Sequence, residues 1–343
     1  MPLLRALLIL IPLLCSVPHA NAREVPEPAA HVQADGPYVF RDGKRLQAQW
    51  ICDDQVVTRQ LRRKRDVARG IAPACGYPHP LLIGAPANPA AAVLPAAPRI
   101  VAVSDIHGQY ALLLQLLRAH HVIDPHDRWA LGQDTLVIAG DVFDRGPQVT
   151  EAFWLLYSLQ QQAAQAGGAV HFVLGNHETM VLYDDLRYVN PKYLRSAQLL
   201  GRSYPQLYGS DSVIGQWLRT RPVLLRIGDT LFLHGGISPE ALPLALDPAA
   251  TNAAYQASLG RCDNCAAVRR QDQPDLVPRL FRWAPGYRRR AERAGQPLPQ
   301  AHRRWPHLDA ACQQLSWRSH HRHRQQHQER RERRTAVHRG WQA

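Results

Sequence analysis

The sequence lacks any apolar run long enough to cross a bilayer. Its N-terminal apolar run, residues 6–17, covers about a dozen residues, whereas a transmembrane helix needs about 20. This run follows Arg5 and precedes Ala20-Asn21-Ala22, a small-x-small pattern typical of signal-peptidase sites. We therefore predict a signal peptide over residues 1–22, a mature chain in the periplasm or secreted, and no membrane span.

Cysteines are few, and without the signal peptide their number is odd. The five that remain are Cys52, Cys75, Cys262, Cys265 and Cys312. An odd number cannot pair completely within the chain, although export permits disulfides. Cys52 and Cys75 form a candidate pair, although the sequence leaves the pairing open. The spacing of Cys262 and Cys265 fits either a tight loop or half of a zinc site.

Most of the chain also lacks the positive charge that its overall composition suggests. The formal net charge is +13, but residues 288–343 contain 14 arginines, no lysine and 4 acidic residues. The tail therefore carries +10 and everything before it only +3. This distribution argues against nucleic acid as a partner of the main domain. The tail itself fits a disordered basic extension, a binder of anionic surfaces, or a product of a shifted reading frame.

The rest of the chain divides into a small N-terminal region and a larger domain. Residues 23–98 contain a possible hairpin turn at Asp42-Gly43 and end in an Ala/Pro-rich stretch, residues 85–98, which indicates a linker. From residue 99 to 287, apolar strands alternate with helices. Strands are predicted at 99–103, 135–139, 170–174 and 230–233, with helices near 112–117 and 149–166. This alternation predicts an α/β sheet, in which ligands bind at the carboxyl ends of the strands.

The ends of these four strands carry side chains of the types that commonly bind metals. They are Asp105-Ile-His107-Gly108, Gly140-Asp141-Val-Phe-Asp144-Arg145-Gly146, Gly175-Asn176-His177-Glu178 and His234-Gly235-Gly236. Carboxylate, amide and imidazole donors together suit manganese, iron or zinc. Each match alone is weak, but four in order, each after an apolar strand, indicate a metal centre.

These four motifs resemble those of the calcineurin-like metallophosphoesterases. The Asp-Arg-Gly and Asn-His-Glu forms are similar to the phosphoprotein phosphatase branch, and residues 105–110, 143–149, 207–209, 214–219 and 234–240 resemble the bacterial Shewanella-like phosphatases, which include a cold-active protein-tyrosine phosphatase. The resemblance covers about residues 36–287. It implies a four-layer α/β/β/α sandwich with two divalent metal ions.

The resemblance also implies a role for each motif residue. Asp105 and His107 would hold the first metal, Asn176 and His234 the second, and Asp141 would bridge them. A hydroxide bridging the metals would attack phosphorus directly. Arg145 would bind the phosphate oxygens. His177, oriented by Asp144, would protonate the leaving group.

One expected feature of the family is missing from the sequence. Family members supply a further histidine to the second metal after a later strand, in a Gly-His-Thr or Ala-His-Gln context that this chain lacks. The arginine-rich tail stands where the last strands are expected. We therefore hypothesise a shift of reading frame near residues 265–300 and an incomplete C-terminal half of the sandwich.

The resulting expectation is a metal-dependent phosphomonoesterase that acts on phosphorylated proteins, on either serine/threonine or tyrosine. Two alternatives stay open. One is a hydrolase of small phosphate esters or nucleotides, which would use the same metals. The other is an inactive, truncated or frame-shifted remnant without the last ligand histidine.

Overall fold

The computed structural model describes residues 25–43, 45–61, 70–84, 88–237 and 242–259. The predicted signal peptide, the Cys262 and Cys265 pair, the proposed frame shift and the tail all lie outside these residues. Within the described part of the chain, no helix is both long enough and apolar enough to cross a membrane.

The strands of the described residues form three sheets. Their bounds are β1 Ala34–Asp42, β2 Arg45–Cys52, β3 Gln55–Leu61, β4 Val93–Leu94, β5 Ile100–Val103, β6 Thr135–Ala139, β7 Ala169–Val173, β8 Leu224–Ile227 and β9 Thr230–Leu233. The orders are β1-β2-β3, β4-β8-β9 and β5-β6-β7. The sequence predicts the strands that carry the motifs to within one residue at either end.

The helices connect these strands and cover the sheets. Their bounds are α1 Tyr110–Ala119, α2 Val149–Gln165, α3 Asn176–Leu182, α4 Pro191–Leu199, α5 Val213–Arg219, α6 Leu242–Leu246 and α7 Pro248–Leu259, with a 3₁₀ turn at Pro205–Tyr208. Helices α1 and α2 follow β5 and β6, as the crossovers between parallel strands require.

The N-terminal region is an antiparallel sheet that shares its core with the main domain. Asp42 pairs with Arg45, so the hairpin turn lies where the sequence predicts it. Trp50 is fully buried in the same apolar cluster as Phe153 and Trp154 of α2, and Trp154 Nε1 donates a 2.7 Å hydrogen bond to the Pro37 carbonyl. A disulfide joins Cys52 to Cys75, which confirms the candidate pairing.

The other two sheets pack face to face around a second, smaller cluster. Its buried members are Val137, Val173, Leu225 and Ile227. Helix α2 packs against β7 and α7 packs against β8. The described elements therefore confirm the predicted α/β architecture, while the expected incompleteness concerns residues that the structure does not describe.

The stretch predicted as a linker contains a strand. Val93 and Leu94 form β4, which pairs in parallel with Arg226 and Ile227 of β8. A strand of two residues within Ala/Pro-rich sequence has too few side chains to show a periodic pattern. Its pairing depends on β8, more than 130 residues later, and therefore cannot be recognised locally.

Candidate metal centre

The four motifs meet at the carboxyl ends of β5, β6, β7 and β9. Asp141 lies at the middle of the site. Its Oδ2 atom is 3.1 Å from His234 Nε2, 3.8 Å from His107 Nε2 and 3.9 Å from His177 Nε2. Asp105 Oδ1 is 3.9 Å from His107 Nε2, and Asn176 Oδ1 is 3.1 Å from His234 Nε2. The structure thus brings together carboxylate, imidazole and amide groups that are separated by up to 129 positions along the chain.

The backbone of this site adopts conformations that residues with side chains rarely adopt. Five site residues have positive φ: Asp105 (57°), His107 (45°), Asp141 (59°), Asp144 (70°) and Arg145 (66°). Such strain persists only where the surroundings enforce it, and it concentrates at functional sites. Here the loops enforce it on one another, because His107 N donates to the Asp141 carbonyl at 2.9 Å.

The glycines of the motifs allow this close approach. A Cβ atom on Gly108 would lie 2.5 Å from the Gly146 carbonyl oxygen, and one on Gly175 would lie 2.3 Å from Asp141 Oδ1. Any side chain at either position would push the loops after β5, β6 and β7 apart. The close approach of these loops therefore requires glycine at both positions.

The imidazoles are oriented by hydrogen bonds on the nitrogen that faces away from the centre. His107 Nδ1 lies 2.9 Å from the Phe143 carbonyl oxygen, and His234 Nδ1 lies 2.7 Å from the Ala139 carbonyl oxygen. A carbonyl can only accept, so each Nδ1 carries the hydrogen and each Nε2 faces the other site residues. This arrangement is typical of histidines that bind metals.

His177 is oriented differently, by a carboxylate. Its Nδ1 lies 2.6 Å from Asp144 Oδ2, and both side chains are buried. Burial opposes the charge on His177, but the hydrogen bond to Asp144 and the charge of Asp141 raise the pKa of the ring above its usual value. Burial raises the pKa of Asp144, and the hydrogen bond to His177 opposes that rise.

Asp141 and His234 shift each other's pKa through their contact at 3.1 Å. Burial opposes ionisation of Asp141, but the hydrogen bond and charge of His234 lower the pKa of this carboxyl. Burial also opposes charge on His234, but the bond to Asp141 raises the pKa of the ring to about 9. Burial lowers the pKa of His107, and the nearby charge of Arg145 adds to that effect.

Glu178 is a structural member of the site to which the motif analysis assigns no role. Its fully buried carboxylate accepts hydrogen bonds from four backbone N–H groups, those of Asp141, Val142, Phe143 and Gly175, at 2.8 to 3.1 Å. It thereby ties the loop after β6 to the start of α3. The available signal was the glutamate at the third position of a helix, where a capping residue is common.

Arg145 lies exposed at the mouth of the site, above these buried groups. Its backbone N–H donates to the Tyr188 carbonyl at 2.9 Å, and Asn190 Nδ2 donates to the Arg145 carbonyl at 2.9 Å. The segment between α3 and α4 therefore holds the Arg145 backbone while its side chain remains accessible to solvent.

The donor set fits divalent cations. Two groups have ligand atoms within 4.8 Å of one another: His107, Asp141 and His177, and Asp105, Asp141 and His234. The groups share Asp141, as a carboxylate bridging two cations requires. Mixed oxygen and imidazole donors favour manganese, iron or zinc without distinguishing among them.

Comparisons with known proteins agree with this geometry. Residues 98–287 match the family model described as calcineurin-like phosphoesterase. Shewanella-like protein phosphatase 2 of Arabidopsis thaliana is 37% identical over 191 residues, covering 43% of this chain and 49% of that protein. A symmetrical bis(5'-nucleosyl)-tetraphosphatase of Chromobacterium violaceum is 28% identical over 199 residues, covering 53% of this chain and 61% of that protein.

A solved structure gives the corresponding likeness in three dimensions. The crystal structure of the cold-active protein-tyrosine phosphatase of a psychrophilic Shewanella species aligns with a TM-score of 0.62 and 40% identity, covering 66% of this chain and 69% of that one. The chain spans 49% of the length of the Arabidopsis relative and 61% of that of the tetraphosphatase. The family match covers more than half of the chain and coincides with the residues that form the centre, so this chain belongs to the calcineurin-like phosphoesterase family.

Proposed function

We propose that this protein is a metal-dependent phosphomonoesterase. The observation that carries the proposal is the position of Asp141, whose Oδ2 atom lies within 4 Å of the Nε2 atoms of His107, His177 and His234. A buried carboxylate placed among imidazoles is suited to bridge two cations. Membership of a phosphoesterase family supports phosphate esters as substrates.

In this proposal Asp105, His107 and Asp141 would hold one divalent cation, and Asp141, Asn176 and His234 would hold the other. When bound, the cations supply Lewis-acid activation of water and neutralise charge on the phosphate. Metal analysis of the purified full chain tests this assignment. Two equivalents of manganese, iron or zinc would support it, while a chain that holds no metal would favour the alternative of an inactive remnant.

The protein's own side chains bind and protonate the substrate. Arg145, exposed at the mouth, presents a planar guanidinium that matches two phosphate oxygens. His177, which is held by Asp144 and has a raised pKa, is suited to deliver a proton to the leaving oxygen. The burial of both partners keeps this pair aligned and excludes competing water.

Replacing His177 separates proton delivery from metal binding. We expect His177→Asn to lower kcat about 100-fold or more for an alkyl phosphate, because its poor leaving group needs the proton. The loss should be smaller for 4-nitrophenyl phosphate, whose leaving group needs little help. Steady-state kinetics on both substrates, with metal analysis of each sample, measure the effect.

The control for this variant is His126→Asn, an exposed histidine outside the site, which should leave kinetics and metal content unchanged. If His177→Asn instead lost its metals, His177 would be a ligand and the proposed acid role would be wrong. The grouping of His177 with His107 and Asp141 makes this outcome a real alternative.

The substrate class of the proposed phosphomonoesterase needs its own experiment. A phosphorylated protein is favoured by the names of the Arabidopsis and Shewanella relatives, and a nucleotide or other small phosphoester by that of the Chromobacterium relative. We expect higher kcat/KM on phosphopeptides than on diadenosine tetraphosphate. Parallel assays with phosphotyrosine, phosphoserine and dinucleotide substrates decide the matter, and a preference for the dinucleotide would overturn the protein-phosphatase proposal.

We also infer that the protein is exported to the periplasm or secreted. The disulfide between Cys52 and Cys75 supports this, because disulfides persist mainly in oxidising compartments. N-terminal sequencing of the protein isolated from its native host should begin at Arg23. A cytoplasmic protein that retains residues 1–22 would contradict the inference.

A further inference from the structure

Arg221, between α5 and β8, is a buried cation that has no carboxylate partner among the described residues. It is 5% exposed, and its guanidinium lies over the Trp217 ring at 5.3 Å. Nε donates to the Trp217 carbonyl at 3.1 Å and Nη2 donates to Thr220 Oγ1 at 2.8 Å. The hydrogen bonds of its guanidinium come from Nε and Nη2, and no carboxylate among the described residues pairs with it. A buried charge in this state is strongly unfavourable unless something neutralises it.

The guanidinium lines a cavity of about 380 Å³ between α2, the start of β7 and the segment before β4. Burial lowers the pKa of Arg221 to about 10, so the side chain remains charged at neutral pH. His171 also lines the cavity, and burial together with the Arg221 charge lowers the pKa of this ring to about 4. The cavity therefore presents one positive charge and one neutral imidazole.

The other polar side chains that line the cavity do not compete with a ligand for Arg221. Gln160 is occupied, since its Nε2 donates to the Val170 carbonyl at 2.9 Å and its Oε1 accepts from Trp217 Nε1 at 2.8 Å. Asn88 lies exposed at the rim, where its amide can reach a bound molecule. Among the described lining residues there is no acidic side chain that would repel an anion.

This cavity is separate from the metal centre. His171 is at the middle of β7, whereas Asn176 follows the end of that strand. Five residues of extended chain correspond to about 16 Å. A ligand in the cavity would therefore not contact the residues that bind metals.

We propose that the Arg221 cavity is a second anion site that binds a small oxyanion, namely phosphate or the phosphate group of an ester. A guanidinium matches tetrahedral oxyanions well, because its planar fork can donate to two oxygens at once. His171 and Asn88 supply further neutral donors. The volume accommodates inorganic phosphate, the product of the proposed reaction, with space for a small organic group.

The structural alternative is that Arg221 serves only to cap α5. Its bond to the Trp217 carbonyl satisfies an acceptor in the last turn of that helix, and a cation there is favourable. In that case the cavity would have no affinity for anions. The two accounts differ in what phosphate does to the protein.

The experiment measures thermal unfolding of the full chain in inorganic phosphate and in chloride at equal ionic strength. The background carries Arg145→Gln, which removes the phosphate-binding arginine of the metal centre. We expect phosphate at about ten times its Kd to raise Tm by roughly 3 to 5 °C. Arg221→Lys should weaken phosphate binding about tenfold, because a point charge replaces a planar fork. The matched Arg226→Lys, on exposed β8 surface, should change nothing.

A second variant keeps the test valid if Arg221→Lys fails to fold. His171→Glu would supply the missing carboxylate beside Arg221. We expect a higher Tm without phosphate and no further response to phosphate. Equal stabilisation of all variants by phosphate would overturn the proposal and favour the capping role. Phenylphosphonate, which cannot be hydrolysed, distinguishes the sources: stabilisation by phosphate alone indicates a site for the free ion, and stabilisation by both indicates a site for phosphate groups of esters.

Discussion

The inner and outer halves of the metal centre differ in how the protein supports them. The inner half, Asp141, Asp144, His177 and Glu178, follows β6 and β7, and its members are at most 4% exposed. The outer half, Asp105 and His234, follows β5 and β9, whose strand residues are only partly buried, although the His234 side chain is itself buried.

The two halves also differ in hydrogen bonding. Asp141 receives the His177 N–H at 3.0 Å and the His234 ring, and its loop is tied down by Glu178. The Asp105 side chain is 58% exposed and is held mainly by the hydroxyl of Ser104 at 2.5 Å. The comparison teaches that hydrogen bonds within the protein fix the inner half, whereas Asp105 of the outer half depends more on its ligands.

The largest expected effect comes from removing one carboxylate charge from each half. Asp141→Asn should lower kcat/KM by more than about 1,000-fold, because it weakens the binding of both cations. Asp105→Asn should cost about 10- to 100-fold and release one cation. Kinetics with metal analysis of both variants measure the difference. Equal losses of kcat/KM in the two variants would show that the inner and outer halves do not differ in this way.

Glu178→Gln should show how far the inner half is fixed without metal. An amide of the same shape cannot accept from all four backbone N–H groups, and its own N–H₂ would face donors. We expect a loss of about 3 kcal/mol in the free energy of unfolding, measured with urea in the presence of a chelator. Asp105→Asn is the control and should leave stability nearly unchanged. A neutral result for Glu178→Gln would mean that the loops are held by other contacts.

Metal binding should depend on pH through His234. With its pKa near 9 in the metal-free protein, His234 is protonated at neutral pH and must lose its proton before it can bind a cation. Affinity for the cation that His234 is proposed to bind should therefore fall about tenfold per unit as pH drops from 9 toward 6. Calorimetry in buffers of different ionisation enthalpy measures the released proton. An affinity independent of pH over this range would contradict the assignment of His234 as a ligand.

The smallest expected effect concerns the contact between α7 and α3, the helix that carries Asn176, His177 and Glu178. The Tyr255 hydroxyl of α7 bonds Thr179 Oγ1 of α3, the helix that begins with Asn176. Tyr255→Phe should cost about 1 kcal/mol of stability and leave kcat unchanged. Thermal unfolding and steady-state kinetics test it together. A fall in kcat of tenfold or more would show that α7 positions the site instead of only stabilising it.

The sequence predicts the strand ends well because each motif follows a short apolar run that is recognisable locally. Thr135–Ala139 and Thr230–Leu233 have the predicted bounds, and the polar residues after them meet as expected. The sheet brings these residues together, so knowing the strand ends is enough to expect a common rim.

Other features depend on partners far along the chain and cannot be predicted from local pattern. Glu178 binds backbone groups up to 37 positions earlier, and backbone groups carry no residue-type signal. Helix α7 is alanine-rich with weak amphipathic character, and Asn252 within it matters because it binds Val223 and Leu224 at the start of β8. The sequence does not single out Arg221, because its burial arises only in the folded structure.

The core that the N-terminal sheet shares with α2 affects whether residues 98–287, which match the family model, can fold alone. A shortened polypeptide starting near residue 98 would leave the indole of Trp154 without its acceptor on Pro37 and uncover the apolar surface that Trp50 now protects. Homology would mark such a fragment as a whole domain, yet physically it would be an unfinished one, prone to associate through the face left bare.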